Sequence, residues 1–228
     1  MANQSTTIAC MKTAQPTSFG GTRAPSSLRI QPKHRTAKGR ARRKALLEAA
    51  AEIFARKGYH STTISEIVRT QKVSKGIFYW YFSSKEELFG EILREAISGL
   101  RRAQAAAIEG IDDPLERIAA AIEASLAYIR LNMPMFAVFE EALGTETFGR
   151  IVKQGHKKLI GDTVAQLEEG MRRGTVRRGD AEMMAHAIFG TMSYVARFIL
   201  PFSPQPDHAI AETVRFCVAG ISSKPKER

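Results

Sequence analysis

Three helix-start signals that follow one another closely restrict this chain more than any other feature of its sequence. Thr63 is followed three residues later by Glu66, the pattern of a capping box, in which hydroxyl and carboxylate bind the free backbone N–H groups of a helix start. Ser74 and Ser84 occupy two further N-cap positions. The spacing predicts two short helices that are joined by a tight turn and followed at once by a third helix.

Helical spacing of apolar residues continues on both sides of these signals, without a convincing period-2 strand pattern. The first predicted helix covers residues 38–57, and the two short helices cover residues 64–70 and 75–81. A longer helix follows from residue 85. Short helices held between longer ones predict a three-helix unit of the helix-turn-helix type, which places its second short helix in a DNA groove.

The chain beyond about residue 110 also predicts only helices. Asp113 and Pro114 supply an N-cap and a proline at the first helical position. Long helices follow over residues 146–172 and from residue 181 to Pro201, and a last one covers residues 207–221. The final two have more apolar surface than a small monomer needs, which predicts a homodimer.

The positive charge is concentrated at the N-terminal end. The formal net charge is +11, and ten of the 34 Lys and Arg residues precede Glu48, the first acidic residue. A basic block at one end points to nucleic acid or to an anionic membrane surface. Because the block has no amphipathic apolar face and no window is apolar enough to span a bilayer, nucleic acid is the favoured partner and no membrane is expected.

Residues 1–37 are rich in Ser, Thr, Gln and Pro and have no periodicity, which predicts a disordered basic tail. Their acid-free composition also resembles an organelle transit peptide, and a true start at Met11 is a third interpretation. The tail either contacts DNA phosphates or remains free in solvent. All of these alternatives stay open.

Signals for catalysis or metal binding are missing from the sequence. No dinucleotide-binding, P-loop, zinc-protease or nucleophile-elbow motif occurs, and Glu140 and Glu141, as neighbours on a helix, point in different directions. Cys10 and Cys217 lie too far apart in sequence to form a CxxC pair. We therefore expect no enzyme, no cofactor, no metal site and a reducing, cytoplasmic location.

Residues 73–88, with the sequence VSKGIFYWYFSSKEEL, resemble the helix-turn-helix of the TetR family of bacterial regulators. The match at motif level covers residues 40–88, and beyond it only the all-helical layout agrees. The resemblance implies an all-α fold with a DNA-binding domain over residues 38–85 and an effector-binding and dimerisation domain over residues 86–228. It implies a transcription regulator, most often a repressor, that a small effector releases from a near-palindromic operator.

The resemblance also implies which side chains contact DNA. Phosphate contacts are implied for Thr63, Lys75, Tyr79, Tyr81 and Lys85, and base-edge contacts for Ser74, Lys75, Gly76, Ile77 and Trp80. Lysine and tyrosine donate readily to phosphate, and a helix N-terminus attracts it. Phe78 and Phe82 are expected in the core instead. Tyr79 and Tyr81 as half-buried supports, and Lys85 as a solvated charge, are the open alternatives.

The predicted turn departs from the family pattern. Gln71 and Lys72 stand where the family commonly has Ala-Gly, and Val68 stands where it has a small residue. Glycine relieves a left-handed backbone conformation, so Lys72 either bears a cost of order 1 kcal/mol or alters the turn.

Large soft side chains are frequent in the C-terminal part. The candidates for an effector pocket are Tyr128, Phe136, Phe139, Phe148, His156, His186, Phe189 and Tyr194. At helical spacing such residues form an ordinary core as readily as a pocket, and both interpretations are open. If there is a pocket, its effector is mainly hydrophobic.

Overall fold

The computed structural model describes residues 36–139, 142 and 144–223, and their regular structure is helical apart from one isolated bridge between Val176 and Ser222. In chain order the helices are α1 (Ala37–Lys57), α2 (Ile64–Thr70), α3 (Lys75–Tyr81), α4 (Lys85–Ala107), α5 (Pro114–Leu131), α6 (Met133–Ala137), α7 (Glu146–Arg173), α8 (Ala181–Tyr194) and α9 (Pro206–Ile221). The all-α class is confirmed. Most of the tail predicted over residues 1–37 lies outside the described residues, as do Cys10, Glu140 and Glu141.

All three helix-start signals begin a helix. Each hydroxyl accepts a hydrogen bond from the backbone N–H three residues ahead, at 3.3 Å for Thr63, 3.3 Å for Ser74 and 3.1 Å for Ser84. Such a cap satisfies a donor that has no partner inside the helix. The boundaries of α2, α3 and α4 therefore follow from local sequence.

Aromatic and branched side chains fill a first core between α1, α2, α3 and the start of α4. Phe54, Phe78, Phe82 and Phe89 are at most 1% exposed. Burial of Phe78 and Phe82 confirms the sequence prediction, and each such side chain contributes about 1.5–3 kcal/mol by leaving water. This core continues past residue 85 and includes Phe148 of α7.

A second core lies among α5, α7, α8 and α9. Ile122 and Leu126 of α5 meet Leu167 of α7, Ile188 of α8 and Ile210 of α9 there. No helix in the described part of the chain is both long and apolar enough to cross a membrane.

The end of α8 departs from the single helix predicted up to Pro201. Val195–Ile199 form a π-helical turn, in which the Leu200 N–H donates to the Val195 carbonyl at 2.9 Å. This wider turn accommodates one extra residue and shifts the side chains that follow around the helix axis.

Candidate DNA-binding surface and effector cavity

Helix α3 exposes one face that carries most of the predicted DNA contacts. Ser74, Lys75 and Gly76 are exposed at its start, while the Tyr79 and Trp80 side chains are 55% and 38% exposed further along. With 3.6 residues per turn, the opposite face holds the buried residues. Ile77 lies between the two faces, half-buried against the first core.

Tyr81 does not lie where a phosphate contact requires it. The residue is 9% exposed, belongs to the first core and packs edge-on against Trp80 at 4.6 Å between ring centroids. The physical reason is helical periodicity, because Tyr81 follows Phe78 by three positions and so shares its inward face. We therefore assign the ring to the core and withdraw it from the DNA contacts.

Lys85 is neither a solvated charge nor a side chain directed only at DNA. Its ammonium donates to the carbonyls of Tyr59 at 2.8 Å and Thr62 at 2.9 Å, and it lies 4.3 Å from the centroid of the Tyr59 ring. Both carbonyls belong to the loop that leads into α2. Lys85 thus holds this loop and the start of α2 against α4.

The predicted capping box at Thr63 is present. The Thr63 N–H donates to Glu66 Oε2 at 3.1 Å, and the Glu66 carboxylate also pairs with Lys57. The hydrogen bond from Lys57, followed by that from the Thr63 backbone, lowers the pKa of Glu66 from 4.5 to about 2. The first turn of α2 therefore keeps its cap and its negative charge at neutral pH.

The unusual turn between α2 and α3 keeps its left-handed geometry without glycine. Lys72 has φ 50° and is the sole non-glycine residue with positive φ in the described ranges. The Val73 N–H donates to the Val68 carbonyl at 3.0 Å across this residue. This hydrogen bond is that of a Schellman motif, in which the position occupied here by Lys72 is usually glycine.

The protein itself does not require a glycine at position 76. A Cβ built there has only Ser74 Oγ within 4 Å, at 3.7 Å, and the backbone is helical. Glycine normally weakens a helix by about 1 kcal/mol relative to alanine. Its presence on the exposed face therefore leaves room for something outside the chain to approach the backbone.

An apolar cavity of about 680 Å³ lies between α4, α6, α7 and α8. Five of the eight predicted pocket residues line it: Phe136, Phe139, His156, Phe189 and Tyr194. The pocket interpretation is thus favoured over that of a plain core for these five, because their side chains border open space.

The other three candidates lie elsewhere. Phe148 belongs to the first core, with its ring centroid 4.7 Å from that of Phe89. The Tyr128 hydroxyl packs where a Cβ on Gly99 would stand, 1.8 Å from it. His186 is exposed on the outer face of α8. Helical spacing alone could not decide which neighbouring helix each side chain would meet.

His156 is the polar group set most directly among the cavity aromatics. Its ring centroid lies 4.6 Å from that of Phe189 in an edge-on arrangement. Burial lowers the pKa of the imidazole, since the charged form loses its hydration. The neutral ring can therefore donate or accept a hydrogen bond inside an otherwise apolar space.

Thirteen of the eighteen residues that line the cavity were not candidates from the sequence, and two of them are informative. Ile97 of α4 lines the cavity although it lies beside the buried stripe of that helix, and Arg197 lines it from the π-helical turn. A signal for Arg197 existed in the sequence, because it is a lone charge in an apolar run. For Ile97 no such signal existed.

Comparison with known proteins agrees with this geometry. Residues 46–92 match the family model described as bacterial regulatory proteins of the tetR family, and residues 111–214 match the model for a tetracyclin repressor-like C-terminal domain. The chain is 30% identical over 191 residues to the HTH-type transcriptional activator FasR of Mycolicibacterium smegmatis, covering 82% of this chain and 86% of FasR.

Two solved structures are similar over the same extent. The ketosteroid transcriptional regulator KstR2 of Mycobacterium tuberculosis has a TM-score of 0.68 at 25% identity, covering 80% of this chain and 96% of that chain. PfmR of Thermus thermophilus has a TM-score of 0.66 at 25% identity, covering 80% and 99%. Motif, fold and relatives agree, and the chain belongs to the TetR family of transcriptional regulators, with a helix-turn-helix DNA-binding domain.

Proposed function

We propose that this protein is a ligand-responsive repressor that binds a near-palindromic operator as a homodimer. The observation that carries the proposal is the exposed face of α3, with Ser74, Lys75, Gly76, Tyr79 and Trp80 together on one side. Lys75 and Tyr79 supply phosphate and base-edge donors, and Gly76 leaves space for close approach. Thr63 at the start of α2 and the half-buried Ile77 complete the contact set.

The C-terminal region, residues 86–228, supplies the dimer interface in this proposal. Large apolar side chains stand exposed on α8, α9 and the loop between them, with Met183 at 66%, Phe202 at 81% and Phe216 at 70% exposure. A patch of this kind is best covered by a second copy of the same surface. Two copies place two recognition helices about one DNA turn apart, which calls for a near-palindromic operator.

A small, mainly hydrophobic effector in the apolar cavity would control DNA binding. Residues of α4 line the cavity, and α4 begins at Lys85, which holds the loop before α2. An effector that prefers a form with a different α4 position shifts the population away from the DNA-bound form. The proposal places the protein with the chromosome in the cytoplasm.

The test is recovery of an operator from fragmented genomic DNA, followed by binding to point variants. We expect one short near-palindromic sequence, and at least a tenfold loss of affinity for Lys75→Ala and for Tyr79→Ala with folding and dimerisation intact. Lys153→Ala, an exposed lysine of α7, is the matched control. Binding of the two α3 variants at the affinity of the control would contradict the assignment.

An activator is the second candidate function, because the relative FasR carries that description. A reporter gene behind the recovered operator separates the two. Rising expression on removal of the regulator supports repression, whereas falling expression supports activation.

The basic residues before α1 are the last part of the proposal. A deletion of residues 1–32 should preserve the sequence preference and reduce the salt dependence of binding if this segment contacts phosphate. An unchanged salt slope would show that it does not.

A further inference from the structure

A second cleft, separate from the apolar cavity, carries a strong excess of positive charge. It has a volume of about 840 Å³ and lies between facing stripes of α4 and α7, with the start of α5 at one end. Its charged lining consists of Arg94, Arg101, Arg102, Arg117, Lys158 and Asp162. Within this lining, five cations face a single carboxylate, and two of the five, Arg94 and Arg102, pair with Glu91 and Glu95 of α4.

Two of these cations are not committed to a carboxylate. No hydrogen bond or ion pair engages Lys158 among the described residues, and Arg117 uses its Nε to hold the Ile111 carbonyl. Arg101 pairs across the cleft with Asp162 at 3.0 Å, in a pair whose partners are 44% and 58% exposed. Exposed pairs of this kind contribute little, so an incoming anion can replace Asp162.

The floor of the cleft is apolar and adjoins the apolar cavity. Ile97 of α4 and Leu159 of α7 line both spaces, so a single layer of side chains separates the cleft from the cavity there. A smaller crevice at Leu159 shares further residues with each space. The cleft therefore offers positive charge beside an apolar space.

We propose that this cleft binds the anionic head of an amphipathic effector, a phosphate or a carboxylate, whose apolar chain reaches the apolar cavity by displacing the Ile97 and Leu159 side chains between the two spaces. The inference rests on the proposed ligand-responsive function and specifies its ligand class. Lys158 and Arg117 bind the head directly. Arg101 joins them when it leaves Asp162.

The same contacts would couple ligand binding to the position of the DNA-binding unit. The Arg101–Asp162 pair ties α4 to α7, and α4 leads back to Lys85 beside the helix-turn-helix. A head group that takes Arg101 from Asp162 releases this tie. The chain that enters the apolar cavity displaces side chains of α4 at the same time.

Calorimetry of the full-length protein with decyl phosphate and with 1-decanol, both below their aggregation limits, tests the assignment. We expect decyl phosphate to bind about a hundredfold more tightly than decanol, the difference that two good charge-assisted contacts supply. Affinity should also rise from butyl to decyl phosphate. Equal affinity for the two decyl compounds would overturn the proposal.

Variants locate the head group. Lys158→Gln and Arg117→Gln should each weaken decyl phosphate about tenfold and leave decanol unchanged, whereas Asp162→Asn should strengthen decyl phosphate. Lys157→Gln, an exposed neighbour outside the cleft lining, is the matched control. An affinity for decyl phosphate that is unchanged by substitution of Lys158, Arg117 and Asp162 would contradict the site.

Two further measurements distinguish a phosphate head from a carboxylate head, and the cleft assignment from the proposed ligand-responsive function. Decanoate that binds more tightly than decyl phosphate identifies a carboxylate head, and decanoate that binds more weakly identifies a phosphate head. Operator binding is measured by fluorescence anisotropy with the same ligands. If decyl phosphate binds in the cleft but does not release DNA, the proposed regulation is refuted and the cleft assignment stands. If decanol binds as tightly as decyl phosphate and releases DNA, the cleft assignment is refuted and the proposed regulation stands.

Discussion

The rings that fill the first core and the rings of α6 and its C-terminal end have different surroundings. In the first core, rings pack on rings, with 5.2 Å between the centroids of Phe54 and Phe89, and both rings are at most 1% exposed. In the C-terminal region, Phe136 and Phe139 also approach each other, at 5.1 Å, yet they border a cavity. The same residue type builds a rigid support in one region and the wall of a space in the other.

The difference matches what the proposed function requires of the two regions. A recognition helix must keep its side chains at fixed spacing for base edges, and a dense core keeps α3 in place. A region that binds an effector needs an unfilled cavity and a helix that can move. Helix α4 borders both the apolar cavity and the basic cleft. Substitutions in the first core, on α3, in the turn and at the cap of α2 test how firmly the helix-turn-helix is held.

Truncation of a ring should distinguish the two regions most clearly. Phe78→Ala is expected to lower the free energy of unfolding by about 3–5 kcal/mol, because it leaves a cavity in a packed core. Phe139→Ala should lower it by about 1–2 kcal/mol, because that half-buried ring already borders open space. Urea unfolding followed by circular dichroism measures both, and equal losses would remove the contrast.

A methyl group on the recognition helix should affect function and stability in opposite directions. Gly76→Ala has room in the protein and improves helix propensity, so the free energy of unfolding should rise by about 0.5–1 kcal/mol. Operator affinity should fall about tenfold, because the methyl group meets DNA. An alanine variant that binds DNA as well as the parent would show that the glycine has no role in recognition.

Relief of the left-handed turn should stabilise the helix-turn-helix slightly. Lys72→Gly removes a conformational cost of about 1 kcal/mol at φ 50°, although the added chain entropy of glycine offsets part of the gain. Arg69→Gly, at an exposed position inside α2, is the matched control and should destabilise by about 1 kcal/mol. The two midpoints in urea should move in opposite directions, and a shared direction would rule out strain at Lys72.

The smallest effect concerns the cap of α2. The folded pKa of Glu66, about 2, lies below its ordinary value of 4.5, so the unfolded chain takes up the proton first as the pH falls. Its stabilisation is therefore complete above pH 5 and declines from about pH 4.5 towards pH 2. Glu66→Gln should lower the Tm at pH 7, and the gap to the parent should narrow by pH 3. A gap that is independent of pH would exclude the carboxylate charge as the cause.

Local interactions could be predicted from the sequence. Thr63, Ser74 and Ser84 each bind a backbone group three residues away, so their role needs no knowledge of the fold. Phe78 and Phe82 were separable from Tyr79 because helix periodicity assigns faces within one element. The left-handed geometry at Lys72 was one of two outcomes that the sequence left open.

Predictions failed where a side chain's role depends on a distant helix. Phe148 and His156 lie eight residues apart on α7, yet the first packs against Phe89 and the second lines the cavity. Their surroundings change along α7 because different helices flank its two ends. Tyr81 was misassigned for a related reason, since its hydroxyl suggested DNA while its position shares the inward face of Phe78.

The all-α class, the helix boundaries of the helix-turn-helix and the exposed face of α3 follow from the sequence, because caps and periodicity act within a few residues. Three arrangements required the folded protein: Lys85 holds the loop before α2, five aromatic and histidine candidates line one cavity, and five cations of α4, α5 and α7 line one cleft. Those arrangements join residues that are tens of positions apart, and the packing of whole helices sets their distances.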